Sequence, residues 1–400
     1  MSLFRDLLID KKRRRYYTEV EYLESTGTQY IDTGVYPADM TYVEAEAQYT
    51  QVNKRQTLLG CYITNSNYNT FAGTNVQSNY ANFFAQWSPG TYSGPVASDT
   101  NKHFFSFDKP TKVFTVDNST TTLDGTTSNV SGQTLYMFAT HSGSTIDRQA
   151  NAKIYYLKIK NGDTLVRDFI PVLGWDGKGY MYDKVSRQLF GNAGTGDFVL
   201  GRQIHYVEYL ESTGEQYIDT GYIGSDTSGF SVDIMPLQNA DRYFIGSRPR
   251  ITTADRWLAG SNAGPQVYIG WNVNHSVNWT LNNIHSVQNN FMNSRTKVLD
   301  GTVVSQITTT LLSQGTRTAY LFSANDANIS RIDTCRIYKA QISEGSSLVR
   351  DFNPAIDEND NYFMFDKVSH TCYNNAGSGS FIGPTVQKDE NGKIIEPRYE

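Results

Sequence analysis

Between Thr41 and Tyr49 the chain alternates: Val43, Ala45, Ala47 and Tyr49 fall on one face, and Tyr42, Glu44, Glu46 and Gln48 on the other. That is the period-two pattern of a strand with one side in a core. Phe230-Ser-Val-Asp-Ile-Met alternates in the same way, and short apolar runs follow the first strand at 57–63, 80–87, 103–107, 112–116, 135–139 and 153–160. The turns between them include Asp124-Gly125, Asn161-Gly162 and Asp176-Gly177, dipeptides that tolerate positive φ and reverse the chain tightly. Many short strands at this spacing predict an antiparallel β-sandwich or barrel. No long amphipathic helix is read beyond the first fifteen residues.

A phrase of the chain occurs twice. Val20-Glu-Tyr-Leu-Glu-Ser-Thr-Gly-Thr-Gln-Tyr-Ile-Asp-Thr-Gly34 returns as Val207 to Gly221 with one change, Thr28 to Glu215. Self-similarity of this kind marks two related units in tandem. A second shared passage closes each unit: Leu165-Val-Arg-Asp-Phe169, Tyr182-Asp-Lys-Val-Ser186 and Asn192-Ala-Gly194 match Leu348-Val-Arg-Asp-Phe352, Phe365-Asp-Lys-Val-Ser369 and Asn375-Ala-Gly377. A shared Leu-Asp aligns Leu123 with Leu299, so insertions and deletions lie between Gly34 and Leu165. The repeated ends are read as framework. Loops that differ between the copies are where binding surfaces are expected to diverge. The predicted organisation is an arm at 1–16, a first domain at 17–201, a second at 205–384 and a charged, solvated tail at 385–400. The linker around Gln203 has no Pro-rich or Ser-rich spacer, which predicts units held close together.

Composition and charge narrow the partners. Tyr and Phe are abundant, at 27 and 20 residues, which suits pleated, half-buried surfaces. The formal net charge is −5, yet the arm carries Arg5, Lys11, Lys12, Arg13, Arg14 and Arg15 against Asp6 and Asp10, so the remainder is more acidic than the total. An acidic body is a poor polyanion binder, which disfavours nucleic acid for the main domains. Cys61, Cys335 and Cys372 are too few and scattered for a disulfide framework or a zinc site, although a Cys335–Cys372 bridge is conceivable. No apolar run reaches the length of a membrane span. In the arm, Leu3, Phe4, Leu7 and Leu8 precede the basic run, the reverse of a secretory signal. Two readings stay open for it: a frayed tail, or an anchor in which Leu3, Phe4, Lys11, Lys12, Arg13, Arg14 and Arg15 dock on an acidic or apolar patch of a partner.

In Glu21 to Gly34, Leu165 to Pro171, Tyr182 to Ser186 and Asn192 to Gly196 the chain resembles tandem concanavalin A-like lectin/glucanase, or laminin-G-like, domains. Such domains are common in surface proteins of gut bacteria and in structural proteins of their bacteriophages. The resemblance covers almost the whole chain and implies two jelly-roll sandwiches. An arm of this kind ahead of the phrase looks like a phage virion protein.

Fold resemblance does not confer activity, so chemistry is sought in the residues. Glucan-cleaving relatives carry Glu-x-Asp-x-Glu on one strand, setting two carboxylates on one face; here only Glu44-Ala-Glu46 approaches it, and the second unit has Asp233 alone. Hydrolysis is therefore not expected. The six His are dispersed, with His275 and His285 on separate positions. The resemblance leaves room for calcium held by loop Asp residues such as Asp99, Asp117, Asp147 and Asp255; no other cofactor is expected. Sugar binding needs aromatic faces beside amide and carboxylate groups. Trp87 and Tyr92 in the first unit, and Trp257, Trp271 and Trp279 with Asn274 in the second, are the glycan-binding candidates, with shared core positions as the competing reading. The expected protein is a non-enzymatic, all-β phage virion component on the particle exterior, oligomeric in the assembly. Its expected partners are capsid or tail proteins, with weak adhesion to host-surface or mucosal glycans. The alternatives are a bacterial surface adhesin, extracellular or at the cell surface, and third a glycoside hydrolase.

Overall fold

A computed structural model describes residues 17–62, 68–74, 81–87, 90–123, 132–248, 257–271, 273–290, 296–306, 316–326 and 331–395. Every regular element among them is a β-strand. The chain divides into two compact units between Gln203 and Ile204. Each is an antiparallel jelly-roll sandwich of two sheets.

In the first unit, the alternating strand Thr41–Tyr49 pairs with Lys102–Asp108 on one side and Asn151–Asn161 on the other. The sheet continues from Lys102–Asp108 through Val113–Val116 to Ser119–Thr122, and from Asn151–Asn161 through Thr164–Gly174 and Gly179–Asp183 to Gln188–Phe190. The opposing sheet runs Gly90–Ala97, Asn82–Trp87, Tyr68–Thr74, Gln56–Tyr62, and then Tyr136–Met137 with Ile31–Asp32 beside it. One pairing breaks the antiparallel rule: Thr140–Ser142 runs parallel to Gln56–Tyr62. Val43, Ala45, Ala47 and Tyr49 face a core that holds Phe83, Phe105, Phe107 and Phe114. The face read as apolar is thus the buried one.

The second unit repeats the plan. Ser228–Pro236 lies between His285–Asn290 and Thr334–Glu344, and Trp257–Ser261 lies between Arg242–Ser247 and Gln266–Trp271 in the opposing sheet. Its core gathers Phe230, Val232, Ile234, Phe244, Ile337 and Phe352.

The repeated residues are joints of this framework. Ser25 Oγ donates to the Gln29 carbonyl, and Gln29 Oε1 accepts from Thr26 N at 2.9 Å, closing a turn over Gly27 at φ +101°. Ser212, Thr213, Gln216 and Gly214 reproduce it, with Gly214 at φ +98°. Asn192 Oδ1 accepts from Tyr30 N, and Asn375 Oδ1 from Tyr217 N, each at 3.2 Å, so the closing Asn-Ala-Gly stitches the end of each unit to its opening phrase. Asp183 is fully buried and accepts from the backbone N–H groups of Asp168, Val185 and Ser186. Asp366 does the same for Asp351, Val368 and Ser369. A buried carboxylate holding several N–H groups fixes a turn because leaving those donors unmet is costly.

Two expectations are corrected here. Leu123 is not the counterpart of Leu299: Val116 and Asp117 end a strand where Leu299 and Asp300 do, each aspartate at positive φ (+53° and +49°). The shared Leu-Asp pairing was a coincidence of turn composition. Nor is the tail simply solvated after Pro384. Residues 387–393 are exposed, but Lys388 pairs with Asp360 at 2.6 Å, Asp389 N donates to Lys393 O, and Ile394 is buried. Cys335 and Cys372 are both thiols.

Candidate ligand-binding face

The opening phrase has an outward side. Ile31 and Thr33 are buried, while Asp32 is exposed and Tyr30 half-buried, as alternation requires of adjacent strand positions. Thr33 Oγ1 donates to the Leu135 carbonyl at 2.8 Å, which holds this strand against Tyr136–Met137 and sets Tyr136 opposite Asp32. The Tyr30 and Tyr136 rings stack at 5.1 Å and 20°, and Tyr136 stacks on His141 at 4.0 Å and 12°. Asp32 Oδ1 accepts from Gly34 N, and Gly34 sits at φ +66°.

The second unit builds the same face from its own copy of the phrase. Thr220 Oγ1 donates to Ala319 O at 2.7 Å, Asp219 faces Tyr320 across the ladder, and Tyr217 packs on Tyr320 at 4.7 Å and 31°. Burial, then Asp32 and Tyr30, hold the Tyr136 phenol above its usual range. Burial, Asp219 and Tyr217 do so for Tyr320, opposed by Arg317. Both phenols therefore stay protonated donors at neutral pH, next to an exposed carboxylate acceptor. Aromatic surface with a donor and an acceptor at its edge suits a polyhydroxylated ligand.

The sequence-derived candidates fare differently. Trp257 and Trp279 are corrected: they are 2% and 4% exposed. Trp257 packs against Phe230 at 5.4 Å and donates from Nε1 to Ser228 O at 3.3 Å, and Trp279 stacks on Phe244 at 6.0 Å. Both fill the core, so neither ring offers a face to a sugar. Trp87 and Trp271 end corresponding strands, Asn82–Trp87 and Gln266–Trp271; their side chains, with those of Tyr92 and Asn274, lie outside the described residues. So does the arm with Leu3, Phe4, Lys11, Lys12, Arg13, Arg14 and Arg15, and so does Asp255.

Glu44 and Glu46 are held in ion pairs, with Lys158 at 2.9 Å and Lys102 at 2.6 Å. Asp99 and Asp117 both bond the ring of His103, and Asp147 Oδ1 accepts from Arg148 N. Among the described residues no group of three or more His, Cys, Asp or Glu is placed to hold a metal ion. His275 and His285 stand on strands of different sheets.

Sequence reasoning missed the outward face because it read the repeated phrase as framework alone. The signal was present: Tyr30 and Asp32 flank the apolar Ile31 where the strand Ile31–Asp32 begins. It also missed Trp175, 82% exposed on the turn before Gly179–Asp183.

No protein-family model matches the chain, and no curated protein matches it. Among solved structures, the chain is similar to the mouse laminin alpha1 chain, domains LG4-5, at 11% identity and a TM-score of 0.29, over 83% of this chain and 90% of that one. The sandwich described above rests on the chain's own strand pairing.

Proposed function

We propose that the protein is a non-enzymatic carbohydrate-adhesion module, displayed on the exterior of a phage particle through its basic arm. The observation that carries the adhesion reading is the recurrence, in both units, of a tyrosine pair in ring contact beside an exposed aspartate: Tyr30, Tyr136 and Asp32, then Tyr217, Tyr320 and Asp219. Two such faces on one chain add avidity to weak single-site binding. The ion-paired state of Glu44 and Glu46 supports a reading without hydrolysis, since a nucleophile and an acid need different protonation states. The virion assignment rests on the resemblance of the repeated phrase and on the basic arm.

A glycan array tests the adhesion reading. The full chain is expected to bind at least one glycan class, and Tyr30→Ala with Tyr217→Ala to abolish it while the thermal midpoint stays within a few degrees of wild type. Binding to no glycan would sink it. Removal of residues 1–16 is expected to leave a folded protein that no longer joins the particle; normal incorporation would show that the arm is no anchor.

A further inference from the structure

One polar pair lies inside the second unit where the first unit has none. Asn289 is fully buried, on the inner side of the strand His285–Asn290 that also carries Val287 into the core. Among the described residues neither its Oδ1 nor its Nδ2 has a hydrogen-bond partner. Directly across the ladder stands Lys297, 4% exposed, with Val287 opposite Leu299 continuing the same face. The matching ladder of the first unit sets Phe107 opposite Phe114, both in the core. The match is secured by the flanking pairs: His103 to Asp117 in one unit, His285 to Asp300 in the other.

An unmet buried amide is destabilising, and a buried lysine is disfavoured in its charged form. Burial pushes the Lys297 amine down to about 8, so roughly a tenth of it is neutral and nucleophilic at pH 7. The Asn289 amide carbon is the electrophile at the position directly across the ladder. Side chains directly opposite on antiparallel strands have Cβ atoms about 5 Å apart, well within the span of a lysine. A register that keeps the two positions opposite each other raises the effective concentration of the amine, which offsets the intrinsic slowness of amide aminolysis.

We propose that Lys297 and Asn289 join in an intramolecular isopeptide bond. The Lys297 Nζ lone pair attacks Asn289 Cγ and a C–N bond forms. The Cγ–Nδ2 bond breaks, and Nδ2 departs as ammonia, taking one proton from Nζ. No oxidant or reductant takes part. The product replaces a buried amine and an unmet primary amide with one secondary amide, and ties two neighbouring strands of the second unit covalently.

The test is the intact mass of the denatured full chain. The expected mass is that of the sequence less one ammonia, and Lys297→Met restores the full value. Trypsin cleaves after Arg295, between the two residues, so the linked protein yields a branched peptide in which Lys297 resists cleavage and carries the segment containing Asn289. A full-length mass with Lys297 open to amine-reactive reagent after denaturation overturns the proposal. So does an ammonia loss that maps to a linear peptide, the signature of a succinimide.

Discussion

His103 Nδ1 lies 2.7 Å from Asp117 Oδ2, and its Nε2 lies 2.8 Å from Asp99 Oδ1. The same Asp117 accepts from Phe104 N through Oδ1 at 3.0 Å, so one carboxylate ties the ring to the next backbone group. His285, Asp300 and Ser286 N repeat the tie in the second unit, but there Nε2 meets Thr280 O at 2.9 Å instead of a second carboxylate. Only the first unit therefore clasps its imidazole between two acids.

Burial works against a charged His103, yet the hydrogen bonds to Asp117 and Asp99 outweigh it, and the histidine is raised above its ordinary value. A raised histidine contributes stability that is fully present below its unfolded value of about 6.5 and is lost as pH rises through the folded one. Asp99 is lowered: burial acts against this, but the His103 and Asn101 bonds prevail. Its contribution is lost as pH falls through that lowered value. The first unit is expected to lose thermal stability from about pH 6.5 upward, and His103→Gln to flatten that limb. Melting curves across pH check this, and an unchanged slope in the variant would show that the clasp is not the titrating group.

Asp333 makes a second prediction of the same sign, at lower pH and in the second unit. It is fully buried, Ser261 Oγ donates to its Oδ2 at 3.2 Å, and its Oδ1 has no partner. Burial pushes the carboxyl up to about 7, against the pull of Ser261. A carboxyl raised on folding costs stability as pH climbs from its unfolded value, about 3.9, to the folded one, and the cost is constant above that. Asp333→Asn is expected to stabilise the second unit by about 1–3 kcal/mol at pH 8 and to make no difference near pH 4. Urea unfolding at both pH values decides it.

A β-carbon at Gly194 would overlap the Thr28 carbonyl oxygen, and one at Gly377 would overlap that of Glu215. These contacts are where the closing Asn-Ala-Gly meets the opening phrase. Gly194→Ala and Gly377→Ala are each expected to cost roughly 1–3 kcal/mol, each in its own unit. Ala at the turn glycine Gly143, where a β-carbon meets nothing within 4 Å, would cost only its backbone strain, about 1 kcal/mol. Equal losses at all three positions would mean that the stitch does not matter.

The sequence by itself determined the all-β character, part of the strand set and the tandem units. Alternation from Thr41 to Tyr49 names the buried side without a structure, because successive strand residues must point to opposite faces. The doubled phrase likewise marks two units, and its closing Gly34 is legible as a strand end. Only the tertiary structure decided which strands are neighbours, and with them every cluster of interest. Tyr30 meets Tyr136, His103 meets Asp117, and Asn289 faces Lys297 through ladder register, which no local pattern encodes. The tryptophans show the same limit. Trp257 and Trp279 sit in short aromatic, Asn-rich runs that read equally as core or as platform, and the choice depends on whether an opposing sheet covers them. They are covered, Trp257 by Phe230 of the opposing sheet and Trp279 by Phe244, so burial of these two large rings won.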